Sequence, residues 1–323
     1  MAKKRLTQAL NEAFVEEMER DPRVILFGED VEISMFGDTR GLFDKFGPQR
    51  IRNTPICEAT LTGMAVGAAL AGYRVVCHLM FSNFLYTGFD AIANQAAKLR
   101  LMTGGQVRLP IVYFAAYGGG SSTAAQHSDT PYPLLMNLGG INVLAPATPA
   151  DAKGLLKAAI RSDNPSVFLM HRLRGATLGE VPEGDHVQPL GVAVVHRPGT
   201  DVTLVSIGGV LPHVLKAAET LAQRGISAEI IDPRTLVPFD EAALVASATK
   251  TGRVVIIDEA RERCSAASQV AAMLGERAFG ALKAPLRRVV TPNTSLPYAP
   301  NLEKSLLPDA DKIVAAATET MAA

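Results

Sequence analysis

Arg23-Val-Ile-Leu-Phe-Gly28-Glu29-Asp30 is an apolar run closed by a glycine and two acids. Asp21-Pro22 stops whatever precedes it, so the run reads as a short strand buried on both faces. Strands of that kind belong to parallel sheets covered by helices on each side. In such sheets ligands bind beyond the carboxyl ends of the strands, which is where Glu29 and Asp30 stand.

Outward from this strand the chain alternates helix and strand. Leu6, Leu10, Phe14 and Met18 recur at helical spacing upstream. Downstream, a polar loop with Gly37, Gly41 and Gly47 leads through Arg50 to Asn53 and into Thr54-Pro-Ile-Cys-Glu-Ala-Thr-Leu-Thr-Gly-Met-Ala-Val-Gly-Ala-Ala-Leu70. That segment predicts a helix so rich in Gly and Ala that another backbone can approach it closely. A strand is expected over 73–78, a helix over 89–101 and a strand over 110–114. A glycine-rich stretch, Ala115 to Asp129, precedes a strand at 141–145, a helix at 149–161 and a strand at 166–170. Between Arg172 and Pro198 glycines and prolines replace apolar runs, and the domain linker is expected there. A second set follows, with strands at 202–207, 227–231, 253–257 and 286–290 separated by helices at 211–224, 240–249 and 266–279. The expected fold is α/β with two domains, residues 1–185 and 186–323, each a largely parallel sheet flanked by helices.

Composition narrows the function. A chain of 323 residues, 48% of them hydrophobic, has material for two full cores. Lys plus Arg and Asp plus Glu number 32 each, which argues against a nucleic-acid or membrane-surface protein. No apolar run reaches the length of a membrane span. Cys57, Cys77 and Cys264 are odd in number and too widely spaced for a zinc site, and the start lacks a signal peptide's apolar core. A cytoplasmic protein without disulfides is expected.

Glu58 is the most informative single residue. It opens the Gly-Ala helix, and no charge follows it until Arg74. Two readings stand: an acidic first turn complementing the helix dipole in water, or a carboxyl held in a close-packed apolar site with its proton equilibrium shifted. Gly118-Gly-Gly-Ser-Ser122 lacks the Lys of a Walker loop and the spacing of a dinucleotide loop, and no nucleophile elbow is present. Gly208-Gly209 reads as a strand-to-helix turn or a weak phosphate loop. Asp258-Glu259 closes a strand much as Glu29-Asp30 does, and either pair reads equally as a solvated turn. His127, flanked by Gln126, Ser128 and Asp129, is either a hydrogen-bonded loop residue or a proton carrier.

Over nearly its whole length the chain resembles the beta subunit of the thiamine-diphosphate-dependent decarboxylating component of 2-oxo acid dehydrogenase complexes. The resemblance rests on Phe27-Gly-Glu-Asp30, Asn53-Thr-Pro-Ile-Cys-Glu-Ala59, Asn94-Gln-Ala-Ala-Lys98, Met102-Thr-Gly-Gly105 and Ala125-Gln-His-Ser128. It continues through Asp151 to Arg161, Asp232-Pro-Arg-Thr-Leu236 and Val255-Ile-Ile-Asp-Glu-Ala260. The end of the chain looks most like the acetoin and pyruvate branches. The resemblance implies a transketolase-like fold in which Glu58 hydrogen-bonds the aminopyrimidine ring of thiamine diphosphate, with Met80, Phe84 and Ile56 against or beside that ring. It implies that His127 serves the substrate and the acyl-transfer step. It also implies a structural potassium ion, bound in some members, on main-chain oxygens of Ile111, Ala159, Ile160, Ser162 and Asn164.

The family's Gly-Asp-Gly and paired-Asn segment for diphosphate and magnesium is missing here. The resemblance therefore implies that a separate alpha subunit holds the magnesium, in a two-alpha, two-beta heterotetramer that passes acyl groups to lipoamide on an acyltransferase core. The Gly-Ala face of the Glu58 helix is a plausible contact surface. Two departures bear on the small 2-oxo acid or acyloin substrate: Asp129-Thr-Pro-Tyr-Pro after His127-Ser128, and Met170-His171-Arg172 where the family has a Glu-based segment. They leave open an acyloin-forming biosynthetic enzyme, and a non-catalytic binding subunit of the same fold stands as a further alternative.

Overall fold

The computed structural model describes all 323 residues, Met1 to Ala323. In chain order its first elements are β1 (Ala2–Arg5), α1 (Leu6–Arg20), β2 (Val24–Gly28), α2 (Leu42–Phe46), β3 (Ile51–Asn53), α3 (Glu58–Leu70) and β4 (Arg74–Phe81). Then come α4 (Leu99–Met102), β5 (Ile111–Tyr117), α5 (Tyr132–Met136), β6 (Asn142–Leu144), α6 (Pro149–Arg161), β7 (Ser166–His171) and β8 (Leu178–Val181). The remainder is β9 (Val194–Arg197), β10 (Val202–Ile207), α7 (Leu211–Gln223), β11 (Ala228–Asp232), β12 (Thr235–Val237), α8 (Glu241–Thr251), β13 (Val254–Arg261), α9 (Ala266–Arg277), β14 (Arg287–Thr291), α10 (Pro300–Leu306) and α11 (Ala310–Ala322).

The chain forms two compact units, one of residues 1–117 and 134–190, the other of 118–133 and 191–323. This differs from a single cut after residue 185 chiefly in the stretch 118–133, which packs with the second unit. Its backbone amides and side chains find their partners on β13 and α10.

In the first unit six parallel strands lie in the order β6-β7-β5-β4-β2-β3. The apolar stripe of α1 (Leu6, Leu10, Phe14, Met18) packs with α6 on this sheet around Val76, Phe114 and Phe168. Thr148 caps α6 by accepting from the Asp151 amide, with Pro149 in the first turn, so local sequence alone suffices to start that helix. Lys153 and Lys157 of α6, both buried, reach Glu16 of α1 at 2.6 and 2.5 Å and fix how the two helices sit. In the second unit the order is β14-β13-β10-β11-β9, parallel except for the edge strand β9.

The expected strands and the helices at 149–161 and 211–224 are present, but β4, β5 and β13 run three or four residues beyond their expected ends, and the helix read from the 54–70 segment starts at Glu58. The helix expected over 89–101 is instead a π-helical turn, Ala91–Ala96, followed by the short α4. The expected linker 172–198 carries β8, paired antiparallel with β1, and β9 on the edge of the second sheet. Both are short strands whose partners lie far away in sequence.

Candidate active site

Strand order locates the first candidate site. After β2 the chain adds β3 on one side and then crosses to add β4 on the other, so the order reverses between β2 and β4. The crevice beyond the carboxyl ends at such a reversal is where open α/β sheets bind ligands. Gly28 ends β2 there, and a Cβ on it would meet the His78 carbonyl oxygen of β4 at 2.1 Å. Only glycine lets the two strands come so close, and Glu29 leaves the sheet from that point.

Glu58 opens α3 at the same end and is 6% exposed, as is Glu29. The Glu58 side chain is therefore out of open water, in the first turn of α3. Its neighbour is a second acid. Burial first, then the charge of Glu58 and a hydrogen bond to it, push the Glu29 carboxyl up to about 7, with His78 opposing. Glu29 Oε1, Thr54 Oγ1 and His78 Nδ1 are all buried without a hydrogen-bond partner. Buried polar atoms in folded proteins are almost always paired. Orphans flanking two acids at a switch point are what a polar heterocyclic ligand with its own donors and acceptors would satisfy.

Met80 and Phe84 lie at and just beyond the carboxyl end of β4. Met80 has φ 40°, in the left-handed region, where the β4–β5 register shifts between His78 and Phe81. Such bulges and strained residues gather at functional sites. Phe84 lies in the 3-10 turn Ser82–Tyr86, edge-on to Phe81 with ring centroids 6.1 Å apart. The Arg172 guanidinium stacks over Phe81 at 5.0 Å. Ile56 is 81% exposed. Behind Glu29, His78 donates from Nε2 to Asp38 Oδ2 at 3.1 Å, both side chains buried. The close backbone approach to α3 comes from Gly88, where a Cβ would meet Thr62 Oγ1 at 2.3 Å and the Glu58 carbonyl at 2.8 Å. Gly63 and Gly67 of α3 instead face open space.

His127 sits half-exposed in the 3-10 turn Ala125–His127 within the second unit. Of the five oxygens expected to hold potassium, those of Ile160 and Ser162 each accept a hydrogen bond from Arg74 Nη1 at 3.0 Å. Arg74 Nη2 also reaches Asp163 Oδ1 at 2.8 Å. Two of the five oxygens, those of Ile160 and Ser162, are thus already hydrogen-bonded to the Arg74 guanidinium. No group of three or more His, Cys, Asp or Glu side chains is arranged to hold a metal ion. No helix is long and apolar enough to cross a membrane.

The raised Glu29 carboxyl has a consequence for stability. Its folded pKa of about 7 exceeds its ordinary 4.5, so between those values the folded chain binds a proton that the unfolded chain has lost. Stability therefore falls as pH rises from 4.5 to 7, and above 7 the cost of the buried charge is fully present. Urea midpoints at pH 5 and pH 7.5 are expected to differ less in Glu29→Gln than in the unaltered chain. An unchanged difference would remove Glu29 as its source.

Comparison with known proteins shows the family. The family described as Transketolase, pyrimidine binding domain matches residues 2–176, and Transketolase, C-terminal domain matches residues 191–313. The beta subunit of acetoin:2,6-dichlorophenolindophenol oxidoreductase from Cupriavidus necator is 43% identical over 325 residues, covering 97% of this chain and 96% of the relative. The pyruvate dehydrogenase E1 component subunit beta of Staphylococcus epidermidis is 40% identical over 324 residues, covering 99% of each. A solved structure of a split gene transketolase, an inactive beta4 tetramer, superposes with a TM-score of 0.83 at 26% identity, covering 98% of both chains. The chain belongs to the family of transketolase-like beta subunits of acetoin and 2-oxo acid dehydrogenases.

Proposed function

We propose that this chain is the beta subunit of a thiamine-diphosphate-dependent dehydrogenase acting on pyruvate or acetoin, assembled with an alpha subunit that supplies the diphosphate and magnesium half of the site. The observation that carries the reading is the buried Glu29–Glu58 pair at the switch point, ringed by unpartnered polar atoms. Thiamine diphosphate, when bound, supplies a weakly acidic ring carbon that becomes a nucleophile once its proton has left. Glu58 would hydrogen-bond a pyrimidine nitrogen and exchange a proton there. Glu29 retains a proton close to neutral pH, so the pair carries a proton where two buried carboxylates could not both stay charged. Met80 and Phe84 would pack against the ring, and Gly28 lets the ends of β2 and β4 come close together. His127 serves the substrate and the acyl-transfer step, with lipoamide as acceptor. Potassium, where bound, would share the Ile160 and Ser162 oxygens with the Arg74 guanidinium.

The similar split-gene transketolase is inactive as a beta-only tetramer. The same division of labour is expected here. The test combines this chain with the alpha subunit encoded beside it and assays pyruvate decarboxylation and acetoin cleavage, with magnesium and thiamine diphosphate. Activity is expected from the mixture alone, and calorimetry on the isolated chain is expected to show no micromolar cofactor binding. Tight binding by the isolated chain would overturn the division.

A further inference from the structure

The segment 118–133, which carries His127, lies between β5 and α5 in sequence yet folds with the second unit. Four side chains of that unit hold it. Glu259 near the end of β13 accepts from the Gly119 amide through Oε1 at 2.6 Å. Glu303 of α10, 2% exposed, spans two amides: Oε1 accepts from Gly120 and Oε2 from Ser122, both at 2.8 Å. Arg261, the last residue of β13, donates from Nη2 to Asp129 Oδ1 at 2.7 Å. The Tyr132 hydroxyl donates to Asp258 Oδ1, and Asp258 is itself fixed by the amides of Ala260 and Ala267 at 2.8 and 3.0 Å.

Backbone strain lies between these anchors. Ser122 and Ala124, neither a glycine, have φ 55° and 60°. Residues persist there only when their surroundings over-determine them. A carboxylate is the group that can do so: it offers acceptors to two amides at once and no donor to oppose them.

We propose that Glu303, Glu259 and Arg261 are positioning residues for His127, holding the strained backbone that presents its imidazole. This rests on the reading of His127 as a working residue of the thiamine enzyme. Glu259 and Arg261 fix the two flanks of the segment and Glu303 fixes its middle. Asp258-Glu259, which by sequence reads equally as a solvated turn, thus serves as an anchor for the histidine.

The test is a double-mutant cycle in the assembled enzyme. Glu303→Gln keeps the size of the side chain but leaves one acceptor and sets an amide N–H against a backbone N–H. Turnover is expected to fall about 10- to 100-fold, as for a misplaced reacting group, with KM changed much less. In the His127→Ala background the same substitution is expected to cost less than about 2-fold, because there is no imidazole left to misplace. Equal losses in both backgrounds would mean a merely structural contact and overturn the proposal. Amide exchange supplies a readout independent of activity: Gly120 and Ser122 in Glu303→Gln should exchange faster while the amides of β10 hold. Unchanged exchange at both would show that Glu303 does not hold the loop, whatever the enzyme's substrate. Where Glu303→Gln fails to fold, Arg261→Met takes its place in the same cycle, with the same non-additivity expected and the same overturning result. Loss of activity in the unaltered assembly would count against the thiamine reading and leave the exchange comparison to decide the clamp.

Discussion

His127→Ala is expected to lower turnover of the assembled enzyme by about 10²- to 10⁴-fold, the range for removal of a group that handles protons in the reaction. Cofactor affinity and assembly should stay as they are. The reason lies in where the residue sits. His127 is half-exposed on a short 3-10 turn in the second unit, while the residues expected against the pyrimidine ring lie in the first. Truncating it opens no cavity in either core, so a fall in turnover would report chemistry. The measurement is turnover and cofactor dissociation constant on the same preparation, with alpha subunit in excess. If turnover holds, His127 is a loop residue, and the anchors on β13 and α10 are structural with it.

Much of this arrangement was legible in the amino-acid sequence because it is local. Apolar runs such as Val24–Phe27 and Val202–Ile207 are buried along nearly their whole length, and periodicity finds them without tertiary context. Thr148-Pro149 marks the start of α6 by cap chemistry alone. Glu58 stood out as a lone acid on a Gly-Ala helix, and Glu29 as an acid at a strand end. Their pairing did not show, because it depends on the crossover that brings β2 and α3 to one crevice. The Gly63 and Gly67 spacing pointed to a close approach that within this chain occurs at Gly88, from the other side of the contact. Glu303 carried no local signal, since nothing in Leu302-Glu303-Lys304 says that its carboxylate caps a glycine-rich loop far away in sequence. The bulge that puts Met80 in the left-handed region is likewise a property of two paired strands. No single-strand pattern contains it.

Glu58→Gln is expected to leave folding, assembly and cofactor binding in place while slowing exchange of the thiazolium proton for deuterium by at least about 10²-fold. Glutamine matches the size of the side chain and still hydrogen-bonds, so affinity should change little. What it cannot do is give up and regain a proton at the pyrimidine nitrogen. The surroundings make that property scarce elsewhere in the crevice. Glu29 holds its own proton until about pH 7, chiefly because burial disfavours its charge, and Glu58 raises it further. Removing the Glu58 charge takes away that second cause, so the Glu29 carboxyl should titrate lower in Glu58→Gln. The stability loss between pH 5 and pH 7.5 should shrink with it, although Glu29 itself is untouched. The two effects share one origin and are read by different instruments. Quenched-exchange NMR on the assembled variant measures the first, and urea midpoints of the isolated chain measure the second. Wild-type exchange would make Glu58 a helix-terminal charge despite its burial. A full-sized pH slope would mean that the two acids do not sense each other across the β2–α3 crevice.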